Sequence, residues 1–129
     1  MELIFKGIPV NKVYYSGQEP QITNGCFKAS NHSEHPISFL VLAVYVSDGN
    51  KQLPINEFHL YMLPDYDEMD KKSITVQAKE DIQFDLSFPF ISEKGFDRDN
   101  IHVILTIKTN DKIIKSSSPV LFELRRPKD

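Results

Sequence analysis

Ile82-Gln83-Phe84-Asp85-Leu86-Ser87-Phe88 alternates apolar with polar residues at every step. No other feature constrains the fold of this chain as strongly. A helix would scatter Ile82, Phe84, Leu86 and Phe88 around its circumference, whereas a strand sets them all on one face. The pattern carries Phe90 onto the same apolar face beyond Pro89, and Ile101 to Lys108 repeat the alternation with a slip at Ile104.

The intervening residues supply turns at regular intervals. Asn110-Asp111 reads as a hairpin turn, because both residues tolerate positive φ. Residues 112–116 return from it and 120–124 form a last strand. Pro119, with no N–H to give to a ladder, marks an edge or bulge between these halves. In residues 37–46 the clearly polar position is Ser38, and the β-branched and aromatic content argues for a strand. Ser47-Asp48-Gly49-Asn50 follows as a turn. Residues 10–15, 26–30, 58–63 and 73–76 complete roughly eight candidate strands at the ~8–12-residue spacing of sandwiches and barrels. The charged stretch 64–72 is the best place for a turn or two of helix. These elements predict one all-β domain over residues 1–129, an immunoglobulin-like antiparallel β-sandwich of about seven to nine strands. The disulfide-and-tryptophan signature of antibody domains is missing, since there is one cysteine, Cys26, and no Trp.

Composition excludes several functions. No apolar run approaches the ~20 residues of a membrane-spanning helix. With 15 basic and 18 acidic side chains, a formal charge of −3 has the wrong sign for a nucleic-acid binder that works by neutralising phosphates. Met1 to Gly7 lack the basic region and apolar stretch of a secretory signal, and a lone cysteine fits a reducing compartment, so the expected location is cytoplasmic.

Alternating strands predict loops at alternating ends of the sandwich. On that count Asn31 to Pro36, residues 64–72 and residues 91–100 share one end. Asp65, Asp67, Asp97 and Asp99 then form two carboxylate pairs of the spacing that oxygen-rich calcium sites use, although an EF-hand glycine is absent. His32 and His35, with Glu34 and Cys26, give half of a zinc site, with His59 and His102 placed in strands. Cys26 shares a strand face with Lys28 and Ser30 and lacks the signature of a nucleophile. No serine elbow and no glycine-rich phosphate loop is present. Tyr14, Tyr15, Tyr61 and Tyr66 are the aromatics that a carbohydrate site would use, though tyrosines at strand ends more often pack.

The unusual feature is that residues 37–46 are apolar on both faces. Ile37, Phe39, Val41, Ala43 and Tyr45 occupy one parity, and Leu40, Leu42, Val44 and Val46 the other. A two-layer sandwich buries one face of each sheet, so the second face needs a cover from inside or outside the chain. This strand alone leaves open which parity faces the core. Aromatic enrichment at interface centres selects Phe39, Val41 and Tyr45 as the partner face, extended by His59, Tyr61 and Leu63 if the next strand is the hairpin partner. The expected function is a non-enzymatic protein-interaction module (an adaptor, an inhibitor or immunity-type protein, or an assembly subunit) that binds a protein partner or forms a homodimer and needs no cofactor. The alternative is a calcium-dependent binding domain.

Overall fold

The computed structural model describes residues 2–69 and 73–126. Its strands are β1 (Leu3–Ile8), β2 (Val10–Tyr15), β3 (Gln21–Asn31), β4 (Ile37–Ser47), β5 (Gln52–Ile55), β6 (His59–Met62), β7 (Asp67–Met69), β8 (Ile74–Val76), β9 (Asp81–Ser92), β10 (His102–Thr109) and β11 (Lys112–Arg125). One sheet has the order β1-β3-β9-β6-β7 and the other β2-β11-β10-β4-β5, with β8 paired to the first half of β4. Neighbours are antiparallel except β2 and β11, which run parallel. The helical turn expected in residues 64–72 is not seen: Leu63 to Tyr66 form a turn and Asp67–Met69 pairs with β6, while Asp70 to Lys72 lie outside the described residues. Among the described residues the helical element is a 3₁₀ turn at Arg98–Asn100.

The chain changes sheets at Pro9. β1 pairs with β3, and β2 then pairs with the end of β11 in the opposite sheet. Gly7 permits this crossing, because a Cβ there would sit 1.5 Å from the carbonyl oxygen of Ser117. The buried Ser118 hydroxyl fixes the junction: it donates to the Ile8 carbonyl at 2.7 Å and accepts from the Cys26 amide at 3.1 Å. Pro119 closes the β10 ladder opposite His102, and β11 takes up β2 from Val120 onward.

Alternation places the core between the sheets. Ile82, Phe84, Leu86 and Phe88 of β9 face Val103, Leu105 and Ile107 of β10, all buried. Phe84 stacks with Phe27 at 5.8 Å and lies 5.9 Å from Phe39, which meets the edge of Phe5 at 4.9 Å.

Two bulges break the alternation. On β4, Ala43 opposes Thr106 and Val41 opposes Ile107, so Leu42 is an extra residue without a partner on β10. An inserted residue reverses the facing of everything beyond it. Ile37 and Phe39 point inward before the bulge, Val44 and Val46 after it. On β9, Ser87 opposes Asn24 and Ile91 opposes Ile22, which leaves Phe88, Pro89 and Phe90 against Thr23. Phe90 therefore stands 66% exposed instead of continuing the apolar face.

Candidate interaction surface

The β4 bulge resolves the doubly apolar strand and corrects the expected partner face. Phe39 is buried in the core and Val41 packs against it, so neither belongs to the outer surface. Tyr45, of the same sequence parity, lies beyond Leu42 and faces outward. The outer face of β4 comprises Ser38, Leu40 and Leu42 before the shift and Ala43 and Tyr45 after it. The hairpin partner of β4 is β5, not β6. His59 and Tyr61 consequently lie on the opposite sheet, with Leu63 in the turn that follows β6, and His59 Nδ1 is 2.8 Å from Glu68 Oε1. The six residues expected at one interface are split among the core, the two sheets and a turn.

Strand register defines the outer surface that does exist. Cross-strand partners share a face. One row runs Pro54, Tyr45, Ile104, Ser117; the next runs Ala43, Thr106, Lys115; a third runs Leu40, Lys108, Ile113. Leu42 is 45% and Ile113 65% exposed. The Lys115 ammonium sits 5.5 Å from the centre of the Tyr45 ring, a cation–π contact. Pro54 also lines a groove with Leu53, Ile55, Phe90 and Ile91, so the apolar surface continues around the β5 edge to the second bulge. The outer face of the other sheet differs: Lys28 pairs with Asp81 at 3.5 Å, and Asn24 links Asp85 (2.9 Å) to Lys12 (2.6 Å). Burial pushes the Lys12 ammonium below its ordinary range and the Asp85 carboxyl above its own.

The carboxylate pairs expected to share an end are separated. β7 adds a chain reversal at residues expected to be loop or helix, so every later loop changes ends. The Leu63 amide donates to Gln83 at the start of β9, which places the turn holding Asp65 there, beside β7 with Asp67. Asp97 and Asp99 follow the far end of β9, about 35 Å away for twelve extended residues. Asp97 is engaged locally, accepting from the Asp99 amide at 3.2 Å and the Asn100 side chain at 2.6 Å. Its own amide donates to Asp48 at 2.8 Å. Asp48 also accepts from the amides of Asn50 and Lys51, and these three donors hold its carboxyl down at about 2.

The remaining candidates find ordinary partners. Lys79 bonds the His32 carbonyl at 2.8 Å and pairs with Glu34 at 3.1 Å, and both His32 and His35 are exposed. No group of three metal-ligating side chains gathers among the described residues. Burial raises the Cys26 thiol pKa, which disfavours the reactive thiolate. Tyr14 is held by Arg98 at 2.6 Å, and Arg98 also bonds the buried Glu93 at 2.7 Å. A depression of about 600 Å³ lies beside Pro64, Tyr66 and Gln83, and its charged groups, Lys28 and Asp81, are paired with each other. No helix of the described residues is long and apolar enough to cross a membrane.

No family model and no curated protein matches this sequence. Solved structures do. The chain is similar to part of a family 123 glycoside hydrolase from Clostridium perfringens, with 8% identity and a TM-score of 0.54 over 98% of this chain. It spans 28% of that enzyme's length. It is also similar to the seventh PapD-like domain of human CEP192 (7% identity, TM-score 0.41, 95% of this chain and 87% of the other). A Salmonella enterica complex of the SafA pilin with the SafB chaperone gives 12% identity and a TM-score of 0.42, over 95% of this chain and 54% of the other. At such identities the likeness concerns the fold. The chain is an all-β, immunoglobulin-like sandwich.

Proposed function

We propose that this sandwich is a non-enzymatic protein-interaction module. Its contact surface is the outer face of β4, β10 and β11, centred on Leu42, Tyr45 and Ile104 and continued past Pro54 to Phe90. The β4 bulge carries this reading. It turns Leu42 and Ala43 outward together, on a face that Ile104 and Ile113 already make apolar, while β3 and β9 of the other sheet present ion pairs and amides outward. Apolar side chains grouped at the centre of a face, with polar ones around them, are the anatomy of a protein contact.

A photo-activatable side chain placed at position 42, and separately at position 83 on the opposite sheet, tests the assignment in the native cell. Position 42 is expected to give one discrete crosslinked protein, lost when Tyr45→Asp is added, and position 83 none. Equal labelling from both positions, or none from position 42, would refute the surface. A product of twice the chain mass identifies the partner as a second copy.

A further inference from the structure

The geometry points to an acidic partner: we infer that this face receives a protein segment carrying carboxylates around apolar side chains, rather than a second copy of the same face. The inference rests on the surface proposed above and adds the chemistry of what binds it.

Charge distribution is the first argument. The chain holds 18 acidic residues, yet Ile37–Ser47, Gln52–Ile55, His102–Thr109 and residues 112–120 contain none. The charges that the register places around the apolar centre of this outer face are Lys108, between Leu40 and Ile113, and Lys115, beside Thr106; Glu123, farther along β11, is paired with Arg125, and Glu57 lies in the groove beyond Pro54. Among the described residues no carboxylate pairs with either, as is also so for Lys6, Lys51 and Lys112, while Lys28, Lys79, Lys94, Arg98 and Arg125 each have one. Lys115 stands over Tyr45, so its charge lies against the apolar centre.

The second argument concerns symmetry. A two-fold dimer through one face puts the same patch on both copies. Such a contact covers Lys108 and Lys115 of both copies, and the apolar centre of neither copy brings a carboxylate to meet them, which is unfavourable where charges are desolvated. Carboxylates opposite Lys108 and Lys115 remove that conflict. Two lysines around Leu42, Ala43, Tyr45 and Ile104 are too few for phosphate-driven binding, which uses about six to ten contacts.

The probes are a short peptide alternating glutamate with leucine and valine, the same peptide with lysine for glutamate, and vesicles of phosphatidylcholine and phosphatidylserine. Each is titrated into isotope-labelled protein while the amide spectrum is followed. The glutamate peptide is expected to shift Leu42, Tyr45, Ile104 and Lys115, and to weaken several-fold between about 50 and about 500 mM salt. In the Lys108→Glu/Lys115→Glu double variant it should lose about tenfold in affinity while the lysine peptide gains. Such an exchange of preference cannot come from a folding defect. Equal binding of both peptides at this face overturns the acidic partner while the surface itself stands. A glutamate peptide that binds elsewhere, or not at all, also overturns it. Vesicles shifting these four residues when neither peptide does would replace the protein partner with an anionic membrane.

Discussion

Asp48 shows how one side chain joins two loops. Its carboxylate accepts from Asn50 and Lys51 in its own turn and from Asp97 across the end of the sandwich. The folded-state pKa of about 2 lies below the ordinary 3.8. A depressed carboxyl stabilises the fold above its unfolded pKa and loses that contribution as pH falls through the folded value. Acid titration from about pH 4 to about pH 2 is therefore expected to weaken the fold, and Asp48→Asn to flatten that part of the stability curve. Denaturant midpoints measured across this range for both proteins would check it. Phe84 is fully buried between Phe27 and Phe39, so Phe84→Ala should cost ~3–5 kcal/mol in lost burial and cavity. Gly7→Ala forces a methyl group into the Ser117 backbone and should cost about 3 kcal/mol or more in the same assay, since neither strand can yield alone.

At the scale of the strand, each bulge separates neighbours that alternation treats alike. Phe88 is buried and Phe90 is 66% exposed, although both continue one sequence pattern. Phe90→Ser is expected to change stability by about 0.5 kcal/mol or less, and Phe88→Ser by several times that. The same contrast applies to β4 in a sharper form. Leu42→Ser keeps the register and should be tolerated. Deleting Leu42 removes the extra residue and turns either Ile37 and Phe39 or Val44 and Val46 toward solvent. The deletion variant should then lack a cooperative unfolding transition, whereas the serine variant retains one. Equal behaviour of the two would mean that the bulge does not set the facing of β4.

For the molecule as a whole, the crossing of the chain at Pro9 ties the two sheets together. β1 covers the β3 edge, contributes the buried Leu3 and sets Phe5 against Phe39. Removing residues 2–8 would expose that edge and lose two large apolar side chains, each worth ~1.5–3 kcal/mol. The truncated chain is expected to be at least about 3 kcal/mol less stable by urea unfolding and to self-associate through the uncovered β3, visible as a rise in solution mass.

The sequence by itself determined the fold class and most of the core, because alternation in β9 and β10 is local information: a period of two admits one buried face. It also marked residues 37–46 as apolar on both sides, and the slip at Ile104 marks the outward apolar residue opposite Tyr45. Tertiary structure decided where each side chain of that strand points. A bulge depends on the register with β10, which no pattern within β4 encodes, and one inserted residue moved Phe39 and Val41 inward while leaving Tyr45 outside. Likewise Asp67 sits in a three-residue strand with little pattern of its own, formed by pairing with β6. That one added reversal placed Asp65 and Asp97 at opposite ends, because loop position in a sandwich follows the parity of strands and a single short strand inverts it.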